Sequence, residues 1–394
     1  MTVKRNPVLA PRLGSTLAAV LLVEALAAHP AMAQAVDLDA LPLRQVEITA
    51  QFGEIDHPEL AFSRIAGLGV GPDGHLYLAQ PQDSRVTVLT RDGQVVRHIG
   101  RRGSGPGEFM SPGMVGWFAD TLWVLDTGTR RATLFHGDEV VRTQQQRAIE
   151  PTRAESVAAV FPEPTGASLV LVRRNPGPQG LAPNHNGYLI HVDPAGERHD
   201  TVGVLEENYP VTTYLGNLRT PPLVQDFPHL GVLRSGEGAV VVDRPFPEGP
   251  RSEIRVSRMD TRGDTLFTIR LEGDAVPFED RHWVERFRAR ASAFEQRGSS
   301  VDPDDFLTAQ ERPAYHAPAS HLVSGSAGWT WIAREDLPDH DEREWVALDP
   351  EGVPQFRVLL PSTLRMYDAD GEEVWGVIPG RFDEDIIRGF RIRH

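Results

Sequence analysis

Residues 71–99 read GPDGHLYLAQPQDSRVTVLTRDGQVVRHI, and the rest of the chain is best understood from this stretch. The turn Gly71-Pro72-Asp73-Gly74 delivers the apolar run Leu76-Tyr77-Leu78. Arg85 to Thr90 alternates as a strand. Asp92-Gly93 tolerates the positive φ angles of a two-residue hairpin, and Val95 to Ile99 returns beside its partner. These are short antiparallel strands joined by tight turns, with no room for a helix between them.

The same unit recurs downstream. Met114–Trp117, Leu122–Leu125, Arg131–Phe135 and Val140–Gln144 form a second set, and Gly137-Asp138 makes its last hairpin. A looser third set runs from Val157 to Val204, its middle loop widened by the Pro- and Gly-rich 175–186. A fourth covers Gly231–Leu271 and a fifth His321–Leu360. A sixth, from Leu364 to Ile392, offers only three strands. The alternating segment Gln45–Phe52 has no set of its own and supplies the missing outer strand. Four strands per period of about 40–55 residues fit radial repetition better than a sandwich. The expectation is an all-β, six-bladed β-propeller of four-stranded antiparallel blades, closed by an N-terminal strand. A seventh blade stays open if 205–228 hides strands.

Phe278 to Arg297 breaks the β pattern. Trp283, Phe287, Ala291 and Phe294 share one helical face, Glu279 and Asp280 suit a helix start, and Gly298 ends it. Pro303-Asp304-Asp305-Phe306 opens a second short helix, closed by Pro313. This insertion, about 277–313, lies between blades four and five, as a lid on the central opening or as a cover for apolar loop surface.

Residues 1–35 read as a secretory signal, leaving a propeller domain at 36–394. Lys4, Arg5 and Arg12 precede the short apolar stretch Ser15–Ala28, and cleavage is expected after Ala33 or Ala35. The stretch is interrupted by Glu24 and is too short for a span. No membrane span remains after its removal, and the expected location is periplasmic or extracellular. The formal charge of −15 becomes −17 once Lys4, Arg5, Arg12 and Glu24 are gone. That sign argues against nucleic acid as a partner. Cysteine is absent and the sole lysine is Lys4, so thiolate chemistry, disulfides, Schiff bases and a P-loop are excluded from the mature chain.

Two stretches carry a family resemblance. Gly100-Arg101-Arg102-Gly103-Ser104-Gly105-Pro106-Gly107-Glu108-Phe109 resembles the glycine-rich link between blades of NHL-repeat propellers. Leu122-Trp123-Val124-Leu125-Asp126-Thr127-Gly128-Thr129-Arg130-Arg131 resembles the NHL strand and turn, in which Asp ends a strand and Arg follows. The likeness is good over 60–145 and faint beyond. It is also similar to the exported bacterial six-bladed propellers. The resemblance implies a fold and a non-enzymatic ligand- or protein-binding scaffold, with the small molecule or protein unidentified. Because six-bladed relatives include lactonases and amidating lyases with channel metals, it also implies an alternative, a lactonase-like metal-dependent hydrolase or lyase.

Motifs with rival readings resolve toward structure. Asp126-Thr127-Gly128 mimics an aspartic protease loop, but no second Asp-Thr/Ser-Gly exists, so Asp126 is expected to tie its own turn, with Arg130 as partner. Asp368-Ala369-Asp370-Gly371-Glu372 begins like a calcium loop, yet Pro379 stands where the bidentate Glu belongs. The charged loop Asp336–Glu344 offers a surface cation site or only a solvated face. No Gly-x-Ser-x-Gly elbow is present. The candidate ligand residues are polar positions near the starts of the inner strands: Arg64, Glu155, His229, His321 and Arg365. Such groups either bond channel water and neighbouring backbone or, as arginine and histidine, favour an anion. His229 and His321 with Glu155 instead suit calcium or zinc. A cofactor is otherwise not expected.

Overall fold

The computed structural model describes residues 35–53, 62, 64–145, 155–174, 185–207, 213–215, 218–220, 223–224, 226–295, 307, 312–335 and 340–393. The expected signal segment and the expected second helix at 303–306 lie outside these residues.

Alternation along each central strand explains the architecture. In blade 1 the second strand, Leu76–Gln80, is buried throughout. Leu76 and Leu78 pack with Trp375, Val377 and Ile387 of blade 6, whereas Tyr77 and Ala79 pack with Val115, Leu122 and Val124 of blade 2. Successive side chains point to opposite faces of a strand, so one strand feeds two cores. Blade 5 behaves alike: Trp331 and Ala333 join the blade 6 cluster, and Ile332 joins that of blade 4. The core is therefore a set of wedges between neighbouring sheets.

Six four-stranded sheets carry this pattern. Blade 1 comprises Gly67–Val70, Leu76–Gln80, Arg85–Leu89 and Val95–Ile99. Blade 2 comprises Pro112–Phe118, Thr121–Asp126, Arg131–His136 and Glu139–Gln145. Blade 3 runs Glu155–Pro162, Ser168–Arg174, His185–Val192 and Arg198–Glu207. Blade 4 runs His229–Val232, Gly238–Asp243, Arg251–Asp260 and Thr265–Asp274. Blade 5 runs Ala319–Ser324, Thr330–Arg334, Glu342–Leu348 and Pro354–Pro361. Blade 6 has Arg365–Ala369, Glu373–Pro379 and Asp385–Ile392 from its own segment, and its outer strand is Val46–Phe52. The register there is antiparallel, with Ile387 opposite Phe52 and Ile392 opposite Val46. The expected closure by the N-terminal strand is present. Beyond the end of blade 3 at Glu207, the described residues up to 228 form a two-stranded hairpin, Thr213–Leu215 with Leu218–Thr220, and the four-stranded sheets of the ring number six.

The N-terminal segment does more than close the ring. Val36–Asp37 adds in parallel to the outer strand of blade 4, and Leu43–Arg44 does so on blade 5. Exposed strand edges invite unwanted pairing, and these additions cover two of them. Leu38 is buried in the seam between blades 4 and 5. Asp39 accepts from Arg334 at 3.3 Å, and Arg357 donates to the Asp39 and Leu41 carbonyls.

Buried aspartates lock the turns. Asp126 is fully buried and accepts the amides of Met110, Ser111 and Gly128 at 2.8–2.9 Å. Arg131, not Arg130, completes that corner by donating to the Ser104, Gly105 and Glu108 carbonyls of the glycine-rich link. The expected partnership of Arg130 with Asp126 is not among the described bonds, and Arg130 occupies a left-handed turn position, with φ of 52°. Asp368, also fully buried, joins three blades. It accepts the Val70 amide of blade 1 and both the amide and hydroxyl of Ser326, beside blade 5.

Asp368→Ala leaves these part-buried donors without their acceptor, at about 1–3 kcal/mol for each that water does not reach. Urea unfolding is expected to show a loss of roughly 3 kcal/mol or more, with Asp368→Asn losing less. A loss below about 1 kcal/mol, the cost of one ordinary hydrogen bond, would mean that Asp368 does not hold the blades together.

Candidate functional site

The first strand of each blade is an edge of its sheet, and those of blades 1 and 2, 4 and 5, 5 and 6, and 6 and 1 contact one another around the axis. These strands run alike, so their starts share one mouth of the ring and their ends the other.

The five residues expected at the first mouth fall into two pairs and one position. His229 opens the inner strand of blade 4, and His321 lies near the start of that of blade 5. His229 hydrogen-bonds the Ser320 backbone, while its Nε2 is buried without a partner. Burial, helped by Arg244 and His321, pushes its pKa down to about 3. His321 Nδ1 lies 3.0 Å from the Ser320 hydroxyl. Arg365 instead forms an ion pair with Asp385, which also accepts the Ile65 amide. Arg64 is exposed, and both arginines influence the Tyr367 phenol at the seam of blades 6 and 1. Glu155 opens the inner strand of blade 3, and its side chain lies outside the described residues. Among the described residues, no three His, Asp or Glu side chains converge as a metal site. Asp370 accepts the Glu372 and Glu373 amides of its own hairpin at 2.8 Å, the behaviour of a turn residue. Glu344 binds Arg334 and Arg357, and 336–339 lie outside the described residues.

Beside His321 the same mouth opens into a cleft of about 250 Å³. The helix Asp280–Glu295 forms one wall. Its apolar stripe, Trp283, Phe287 and Ala291, packs on Phe278 and Leu223, so it covers loop surface as one sequence reading expected. Arg286 and Arg290 lie one turn apart and therefore share a face, and both line the cleft. Arg286 pairs with Glu335, yet its Nε is buried without a partner. Arg290 makes no hydrogen bond or ion pair among the described residues. Arg244 reaches in from blade 4 and donates to the Phe227 and Ala319 carbonyls at 2.8 and 2.7 Å. Among the lining side chains, three guanidinium groups face one carboxylate, Glu335.

His316 completes the cleft. Its ring stacks on Phe278 with centroids 4.1 Å apart. Its Nε2 lies 3.0 Å from His282 Nδ1, and its own Nδ1 is buried without a partner. Burial, reinforced by Arg286 and His282, pushes its pKa down to about 4, so the ring is neutral near pH 7. Sequence reading missed Arg244, Arg286, Arg290 and His316. The only signal was the four-residue spacing of Arg286 and Arg290, which looks like an ordinary polar helix face.

At the opposite mouth the axis is closed. Arg234, just past the inner strand of blade 4, sends its guanidinium across to the Leu68 carbonyl of blade 1 at 2.8 Å and to the Tyr367 carbonyl of blade 6. It lies 3.6 Å from Asp368. Its own carbonyl accepts from the Trp117 amide and the Trp123 indole of blade 2. Gly69 permits this crossing, because a Cβ there would stand 2.5 Å from the guanidinium.

No family model matches the chain, and no curated protein matches it. Solved structures do. A candidate exported protein of Bacteroides fragilis aligns over 89% of this chain and 96% of its own, at 12% identity and a TM-score of 0.45. A member of the DUF4221 family from Bacteroides vulgatus covers 89% and 99%, at 9% identity and 0.43. Virginiamycin B lyase from Staphylococcus aureus covers 88% and 99%, at 9% identity and 0.39. At such identities no site residue transfers, and the propeller assignment stands on this chain's own sheet order.

His229 and His316 are depressed below the ordinary histidine value, so the unfolded chain binds more protons between pH 6.5 and their folded values. Their neutral burial costs nothing extra above pH 6.5. As pH falls through that window, each lost pH unit costs about 1.4 kcal/mol per such histidine. Unfolding midpoints are expected to drop between pH 7.5 and pH 5, with a shallower drop in His316→Gln. An unchanged slope in that variant counts against a buried neutral His316.

Proposed function

We propose that this protein is an exported propeller that binds a small carboxylate or similar anion in the cleft beneath the helix. The charge of the lining carries the reading: Arg244, Arg286 and Arg290 against Glu335 alone, over the apolar surfaces of Phe278, Phe246 and Leu223. Guanidinium groups present planar forks that match carboxylate oxygens, and a partly enclosed site strengthens each charge-assisted bond. Among the described residues Arg290 has no other partner. His316 Nδ1 adds a neutral polar contact, and Phe278 an aromatic wall. The volume suits a ligand of few heavy atoms. Of the five inner-strand positions, His321 lines the cleft, and His229 stands behind it. Arg64, Glu155 and Arg365 belong elsewhere around the same mouth.

Export is part of this reading and rests on the charged, apolar and small-residue succession of residues 1–35. Kinship with NHL-type repeats is supported by Arg131, which bonds carbonyls of the link 100–109, and by Asp126, which accepts the Met110 amide just after it. Among the described residues no helix is long and apolar enough to cross a membrane.

Calorimetric titration with propionate, benzoate and galacturonate tests the site. At least one is expected to bind, more weakly at high salt. Arg290→Ala is expected to lower that affinity about tenfold or more, the loss of one charge-assisted hydrogen bond, without altering the unfolding midpoint. Binding indifferent to Arg290→Ala, or no binding by any of the three, rejects the anion site.

A further inference from the structure

The ring holds a second cavity, at the mouth that Arg234 closes. Its volume is about 530 Å³, twice that of the anion cleft and within the small-ligand range of roughly 300–1,000 Å³. Arg234 and Asp368 form the floor. The turns that follow the inner strands of blades 1, 4, 5 and 6 form the walls, at Gly71–Gly74, Leu233–Glu237, Gly325–Gly328 and Asp370. Trp117 of blade 2 adds an indole. Five blades thus contribute to one cup around the axis, which Arg234 crosses.

Its electrostatics differ in kind from those of the cleft. Arg91, Arg234 and Arg258 face Glu237, Asp368 and Asp370, three charges of each sign. Such a lining favours neither an anion nor a cation. Most of these groups are already engaged. Arg91 pairs with Glu373, Arg234 spans the axis, Asp368 holds Val70 and Ser326, and Asp370 holds its own turn. Three groups retain capacity for a ligand. Glu237 and Ser235 make no hydrogen bond among the described residues. Arg258 donates through Nη1 to the Pro350 carbonyl at 2.8 Å, but its Nε is buried without a partner. Glu237 lies close enough to Arg258 to influence its charge.

A carboxylate that only accepts, a guanidinium that only donates and a hydroxyl that does both match a ligand with adjacent hydroxyl groups. The indole offers an apolar surface to C–H groups between those hydroxyls. We propose that this cup binds a neutral saccharide, at a site independent of the anion cleft.

The test titrates the full chain with maltose, cellobiose, chitobiose and mannobiose, by calorimetry and by tryptophan fluorescence. At least one is expected to bind at millimolar concentration or below and to change the fluorescence. Glu237→Gln and Ser235→Ala stand on a turn at the mouth and are expected to leave the unfolding midpoint in place. Each is expected to weaken the sugar about tenfold, the value of one hydrogen bond to a charged or hydroxyl group. Arg290→Ala is expected to leave sugar binding intact. Absence of binding by all four sugars overturns the proposal, as does binding that survives both turn substitutions. Loss of sugar binding in Arg290→Ala also overturns it, because it moves the sugar to the other cleft.

Discussion

The pairing of Val46–Phe52 with Asp385–Ile392 is the constraint on which the molecule depends. Each blade buries its apolar side chains only when a neighbour stands on both sides. A ring open at one seam would expose two such faces at once. The closing strand comes from the opposite end of the sequence, so closure ties the two ends of the propeller together. Phe52 enters the core between blades 6 and 1, and Val46 packs on that between blades 5 and 6. The same segment lies along the outer edges of blades 4 and 5 on its way. Long-range closure carries a loop entropy that grows only slowly with length, and the wedge-shaped cores offset it.

Closure creates an axis, and the axis raises a second problem. A channel lined by six inner strands leaves polar backbone facing water or one another. Here Arg234 crosses it at one end, donating to carbonyls of blades 1 and 6 while its own carbonyl receives two donors from blade 2. Asp368 beside it accepts from the neighbours of blade 6. The pair turns a tube into two separate cups. One is rich in guanidinium groups under a helix, and the other is charge-balanced and walled by turns.

Much of the fold was legible because propeller strands are short, repeated and punctuated. The unpaired alternation of Gln45–Phe52, set against the three-stranded last blade, was enough to place the closing strand. Trp283, Phe287 and Ala291 announced the helix by their spacing. Val36–Asp37 and Leu43–Arg44 were not legible, since two-residue strands carry no periodicity. The candidate site was legible only in part. His229 and His321 do meet at one seam, because inner strands of consecutive blades are neighbours. Arg365 was drawn away by Asp385, a partner on the same blade that no spacing rule singles out. Arg244, the helix pair Arg286 and Arg290, and His316 come from three separate places in the chain, and the spacing of the pair looks like any polar helix face.

By itself the sequence determined the class of architecture: alternation, turn chemistry and the period of repetition are local properties, written within a few dozen residues. It also determined what chemistry residues 36–394 lack, since they hold no thiol and no lysine. Only the tertiary structure decided which charges share a cavity and which cancel. Electrostatics depends on distances of a few ångströms between residues far apart in the chain, and those distances exist only after the ring has closed.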